Sequence, residues 1–276
     1  MKKVSLLNEA KGGKGGGWSF VDNFIFGLGK QYTPNMDEAD TLLIPSASMV
    51  SRGTVEKYYG QKKIILRVDN YLKNSRNRGT GMSRMKDYAK MADVIVYQSE
   101  WARGYLQPIL EYKEKSRVIL NGSNEYIFNK DGEKYPDDIF SPRYLYVRMN
   151  RDETKGWHLA HYTYQVIQRQ EPNAQLWIVG AFSPENLEYK FDFDKERINF
   201  FGIVNPSELA KIYRSCDQLL FPYFNDACSN VLNEAILCGL KIRDCYGMTE
   251  TGGSPEVINS HGRTIGDMLK QYNEIL

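Results

Sequence analysis

The chain is poor in cysteine, histidine and long apolar runs, and each shortage excludes something. Four cysteines in 276 residues (Cys216, Cys228, Cys238 and Cys245) form no C-x-x-C pair and have no histidine cluster beside them. A disulfide framework and a structural zinc site are therefore not expected, and reduced thiols in a cytoplasm are the default. The three histidines, His158, His161 and His261, all lie in the second half. No stretch reaches the roughly 18 apolar residues of a membrane-spanning helix. The basic start Met1-Lys-Lys-Val-Ser-Leu-Leu-Asn8 lacks a long apolar run after it and reads as a first strand rather than a signal peptide. Charge of one sign is also lacking: the net is +2, so any case for nucleic acid has to rest on local clusters. No Gly-Lys-Ser/Thr closes a P-loop, and no clean G-x-G-x-x-G marks a dinucleotide fold.

What is present is an alternation. Short β-rich runs at Val4–Leu7, Thr41–Ile44, Lys63–Val68, Val94–Gln98 and Arg117–Leu120 are separated by helical patterns near Trp18–Lys30, Val50–Tyr59, Ser83–Met91 and Glu100–Leu110. The pattern restarts with strands at Arg143–Arg148, Gln175–Val179, Arg197–Phe201, Gln218–Pro222 and Lys241–Cys245. Helices are expected at His158–Gln170, Ser207–Ser215, Asn230–Cys238 and Ile265–Ile275. Apolar strands alternating with helices predict parallel sheets covered on both faces. Turn and breaker residues crowd Asn129–Pro142, so two α/β domains are predicted, 1–135 and 136–276. Each would be doubly wound and Rossmann-like, the two facing a cleft. In such sheets ligands sit at the carboxyl ends of the strands.

Four segments carry candidate chemistry. Asp226-Ala-Cys-Ser-Asn-Val-Leu-Asn-Glu234 places two carboxylates eight residues apart, on about the same face of a helix that opens at Ser229, Asn230 and Val231. A helix start favours anions, and acceptor carboxylates beside it favour hydroxyl-rich ligands. A phosphate and a sugar together would suit both. Gly12-Gly-Lys-Gly15-Gly16-Gly17, five glycines in six positions after the first strand, permits close approach of backbone to a ligand. Arg148-Met-Asn-Arg151-Asp-Glu-Thr-Lys155-Gly156 follows the first strand of the second half. At the mouth of a parallel sheet it would hold a diphosphate, Arg as a planar fork and Lys as a mobile point charge. Lys73-Asn-Ser-Arg76-Asn-Arg78-Gly-Thr-Gly-Met-Ser-Arg84-Met-Lys86 carries five basic residues in fourteen positions without an acid. It is either a solvated loop or a site for a polyanionic acceptor.

These segments, with Asn121-Gly-Ser123 and Thr251-Gly-Gly-Ser-Pro-Glu256, run in an order that resembles the retaining glycosyltransferases of family 4, in a short form of virus or phage type. The carboxylate pair is similar to that family's Glu-x7-Glu segment, with Asp226 in place of the first Glu. The resemblance implies a GT-B fold and transfer of a hexosyl or pentosyl group from a nucleotide diphosphate sugar to an acceptor hydroxyl. It implies that Gly15, Gly16 and Gly17 lie near the donor phosphates, that Lys155 with Arg148 or Arg151 binds the diphosphate, that Glu234 holds the ribose, and that Asp226 contacts the transferred sugar. The helix start at Ser229, Asn230 and Val231 would lie near the phosphates or sugar. The family's first-domain histidine is missing, and Asp69 or Asn70 is the expected substitute. Lys73, Arg76, Arg78 and Arg84 would face an acceptor such as an anionic glycan or hydroxymethylated DNA. Asp192-Phe-Asp194 is read as a solvated loop, and neither a metal nor another cofactor is expected. A nucleotide-sugar epimerase on the same fold and a non-catalytic nucleotide-sugar or DNA-binding protein are the alternatives.

Overall fold

The structure, a computed structural model, describes residues 2–8, 16–68, 78–110, 115–137, 139–150, 152–182 and 195–276. The chain divides into two compact units. The first contains Met1–Ser123 and Arg263–Leu276, the second Asn124–Gly262. This differs from the predicted division at 135/136 in two ways, and both have a physical reason. The breaker-rich segment is fastened to the second unit. There Arg214 donates to the carbonyls of Ile127, Asn129 and Glu133, and the Arg143 guanidinium donates to that of Pro136. The final segment instead packs its apolar face into the core of the first unit.

That first unit holds the strands β1 (Val4–Leu6), β2 (Thr41–Ile44), β3 (Lys63–Arg67), β4 (Val94–Tyr97) and β5 (Ser116–Val118), all parallel and side by side in chain order. Its helices are α1 (Gly16–Leu28), α2 (Arg52–Tyr58), α3 (Arg78–Met91) and α4 (Glu100–Leu110). Alternate strand residues serve opposite faces. Val4, Leu6, Leu43, Ile65, Val94 and Val96 share a cluster with Phe20, Val21, Phe24 and Leu28 of α1 and with the C-terminal helix, while Leu42, Ile44, Ile64, Leu66 and Ile95 are buried between them. The reversal of a doubly wound sheet survives here as a remnant. After α1 the chain returns to the free side of β1, where Tyr32 bridges Val4 in parallel and the Thr33 amide donates to the Val4 carbonyl at 3.0 Å. It then crosses to β2 on the other side.

The second unit is wound in full. Its strands are β6 (Arg143–Met149), β7 (Gln175–Gly180), β8 (Ile198–Phe200), β9 (Gln218–Phe221) and β10 (Lys241–Asp244), and their spatial order is β10-β9-β6-β7-β8. Chain order reverses between β6 and β9, which makes their carboxyl ends the topological switch point. The helices are α5 (Trp157–Gln170), α6 (Pro206–Ser215), α7 (Asn230–Leu237) and α8 (Ser254–Asn259), followed by α9 (Ile265–Asn273) of the first unit. Among the described residues, sequence patterning predicts each of these ten strands and eight of the nine α-helices. It misses α8, whose six residues begin with Ser254-Pro255 and read as turn. Pro at the first turn is compatible with a helix start because its missing N–H would have no intrahelical partner. Among the described residues no helix is long and apolar enough to cross a membrane, and the four cysteines are free thiols.

Candidate donor-binding site

The site is built where β6 ends. Between Val147 and Met149 the ladder to β7 is interrupted, and the residue in between, Arg148, has a φ of 67°. A left-handed backbone is uncommon for a non-glycine residue, and bulges re-aim side chains. The irregularity needs Gly180 on the neighbouring strand, because a Cβ there would collide with the backbone of Met149. The outcome is an Arg148 guanidinium that donates to the Asp226 carboxylate at 3.1 Å, in a pair largely withdrawn from water. Burial works against the arginine's charge, but Asp226, Tyr223 and Glu234 outweigh it, so the guanidinium holds its proton more tightly than usual.

Lys155 is delivered by a folded loop. The Asp152 side chain accepts from the amide and hydroxyl of Thr154, and the Asp152 amide donates to the side chain of Asn150. A single 3₁₀ turn, Glu153–Lys155, then leads into Gly156 at φ 63°. A side chain at 156 would strike the Pro222 carbonyl, so the turn closes directly onto the chain leaving β9. Tyr146 donates its hydroxyl to the Lys155 carbonyl at 3.0 Å, and Lys155 itself is buried.

The carboxylates come from the other side of the switch point. Asp226 lies in the turn after β9, its carbonyl accepting from the Gly253 amide at 2.8 Å. Ser229 caps α7 by accepting from the Leu232 amide, and Ser229, Asn230, Val231 and Glu234 are all buried. The positive end of the α7 dipole therefore begins, at its cap Ser229, three residues after Asp226, the partner of Arg148. Glu234 accepts from Tyr213 at 3.3 Å. Burial lifts its pKa to about 7, against the opposing pull of Arg148 and of that hydrogen bond. A carboxyl lifted this far above its ordinary range is common at functional sites.

Arg148, Lys155, Asp226, Ser229, Asn230, Val231 and Glu234 are thus gathered in one unit. Gly16 and Gly17 form the first residues of α1 in the other unit. Arg78 begins α3, and Arg84 is exposed on the same helix. Gly15, Asp69, Asn70, Lys73, Arg76, Arg151, Asp192 and Asp194 lie outside the described residues. Sequence reasoning missed the tyrosines. Tyr146, Tyr213 and Tyr223 are fully buried around the charged groups, and only their position at or beyond apolar runs hinted at it. His161, packed on Trp157, is kept neutral by burial, its pKa lowered to about 4. Among the described residues, no three His, Cys, Asp or Glu side chains are grouped as a metal site.

Residues 141–270 match the family of glycosyl transferases group 1. The whole chain also resembles solved structures. HepE from Anabaena in complex with UDP and glucose aligns at a TM-score of 0.66 and 14% identity, over 100% of this chain and 99% of that one. MnaA from S. aureus in complex with UDP aligns at 0.58 and 12%, over 94% and 87%. Sucrose-phosphate synthase from Thermosynechococcus elongatus aligns at 0.55 and 17%, over 83% and 67%. None of the curated protein sequences compared with the chain matches it. At these identities the likeness carries the fold, which is GT-B. The family match over 141–270 supports a glycosyltransferase.

Proposed function

We propose that the protein is a retaining glycosyltransferase that moves a hexosyl or pentosyl group from a nucleoside diphosphate sugar to an acceptor hydroxyl. One observation carries this reading. At the β6/β9 switch point Arg148 pairs with Asp226 and carries the field of Glu234, which lies on α7, and it shares the Tyr223 ring with a second cation, Lys155. A diphosphate needs the cations, and sugar and ribose hydroxyls need the carboxylates.

The chemistry follows from charge. As the bond between the anomeric carbon and the diphosphate oxygen breaks, negative charge grows on the leaving group. Arg148, Lys155 and the α7 dipole would stabilise that charge, as preorganised groups do where charge develops. The acceptor oxygen bonds the anomeric carbon from the face the diphosphate leaves, and its proton passes to a leaving phosphate oxygen. Glu234 accepts from the ribose hydroxyls and Asp226 from the transferred sugar. The two cations neutralise the diphosphate, so the reaction proceeds without a metal. The acceptor is assigned to the first unit, with Asp69 as its expected polar partner and Lys73, Arg76, Arg78 and Arg84 as the cationic residues that would suit an anionic glycan or modified DNA. We assign the protein to the cytoplasm.

Lys155→Ala is expected to lower kcat by about a hundredfold or more, as loss of one such donor commonly does. Turnover within a few-fold of the unaltered enzyme would refute the assignment. Release of nucleoside diphosphate that requires an acceptor, with the product's anomeric configuration retained by NMR, separates this reading from an epimerase. A DNA acceptor predicts binding that weakens steeply between low and moderate salt.

A further inference from the structure

The two cations of the site lie seven residues apart in sequence and on different backbone segments, yet they share one neighbour. Tyr223, two residues beyond the end of β9, is fully buried. Its ring centroid is 5.7 Å from the guanidinium carbon of Arg148 and 5.8 Å from the Lys155 ammonium, both within cation–π range. Its hydroxyl donates to the carbonyl of Val147, the residue before the left-handed Arg148, at 2.7 Å. The chain on either side touches the other cation's loop. The Pro222 carbonyl fills the space a side chain at Gly156 would need, and the Phe224 amide donates to the Thr154 carbonyl at 3.3 Å. Tyr146 and Phe221 fix the ring from the side, with centroids 6.4 and 4.8 Å away. Burial raises the hydroxyl's pKa, so Tyr223 offers a neutral ring face, not a charge.

We propose that Tyr223 is the positioning residue that holds Arg148 and Lys155 together as one diphosphate-binding unit, its ring beneath both cations and its hydroxyl fixing the backbone that presents Arg148. This rests on the reading that those cations bind the donor diphosphate. It assigns no contact between Tyr223 and the donor.

The test is calorimetric affinity for the tightest-binding of UDP, GDP and ADP, measured on Tyr223→Phe, Tyr223→Leu, Lys155→Ala and the Tyr223→Leu/Lys155→Ala double variant, with folding checked by circular dichroism. Tyr223→Phe keeps the ring but loses the hydroxyl that fixes the Val147 carbonyl, and is expected to bind more weakly than the unaltered protein but several-fold more tightly than Tyr223→Leu. Tyr223→Leu loses the ring and is expected to bind at least tenfold more weakly. The double variant should be weaker than Lys155→Ala alone, but by a smaller factor than Tyr223→Leu costs on its own, because part of the ring's effect acts through Lys155 and the rest through Arg148; a purely structural role would give multiplicative losses. Should Tyr223→Leu not fold, Tyr223→Met replaces it, and a Phe variant as weak as the variant lacking the ring would overturn the role given to the ring. If Lys155→Ala loses affinity while folded Tyr223→Leu does not, the role of Tyr223 fails and the donor site stands. If Lys155→Ala binds normally, both fail.

Discussion

Glu234 ties the chemistry of the site to the stability of the second unit. Its pKa is raised from 4.5 to about 7 by burial, with Arg148 and Tyr213 opposing. A raised carboxyl pKa means the folded state binds the proton more tightly than the unfolded one, so stability falls as pH rises from about 4.5 to 7 and levels off above. The shift corresponds to about 3 kcal/mol. Glu234→Gln should remove this slope: urea denaturation at pH 4.5 and pH 8 should show the unaltered protein losing that much more than the variant. Equal slopes would contradict the burial argument. The same residue should respond to donor. Ribose hydroxyls donate to the ionised carboxylate, so binding expels the proton, and nucleoside diphosphate affinity should rise from pH 6 to pH 8. Glu234→Gln should retain only the rise due to the ligand's own ionisation.

Among the elements, the loops do what the strands cannot. Gly156 at φ 63° lies against Pro222 and sets where Lys155 stands. Alanine there must both adopt a left-handed backbone and displace a carbonyl, so Gly156→Ala should destabilise by about 2–4 kcal/mol and weaken donor binding. A thermal melt with a titration of UDP checks both, and an unchanged melting temperature would contradict the packing. Ser229→Ala removes the cap of α7 and should cost about 1 kcal/mol without abolishing binding. The sequence made these elements legible to different degrees. Strands such as Thr41–Ile44 and Gln218–Phe221 are short apolar runs between turn residues, a local signal that survives folding. Helical period did not bring Asp226 to Glu234 as expected, because α7 begins only at Asn230 and Asp226 stands in the turn before it; what the two acids share is the charge of Arg148. The left-handed Arg148 was not legible, because it depends on Gly180 of another strand. Nor was Tyr223, whose ring reads as one more apolar residue until both cations are placed over it.

At the level of the whole molecule, the main departure from the sequence reading is the return of residues 263–276 to the first unit. Helix α9 buries Ile265, Met268, Leu269 and Tyr272 against α1, with Tyr272 set edge-on to Phe24 at 4.9 Å. Close approach depends on Gly27, where a Cβ would strike Leu269 and Ile265. No local pattern reveals a partner more than two hundred residues away. Each buried side chain of this size contributes about 1.5–3 kcal/mol. Four of them together rival the 5–15 kcal/mol that stabilises a typical domain. Ending the chain at Gly262 should therefore unfold the first unit while the second stays protected in hydrogen exchange. Native protection across β1–β4 would contradict this account of the core.

The central claim is that the charged cluster at the β6/β9 switch point binds the diphosphate of a sugar donor. Its most direct test is the calorimetric affinity for UDP, or for GDP or ADP if either binds more tightly, of the unaltered protein and of the Arg148→Ala/Lys155→Ala variant, with circular dichroism showing that both are folded. The account predicts saturable binding that falls at least a hundredfold in the variant. Affinity unchanged by removal of both cations would contradict it.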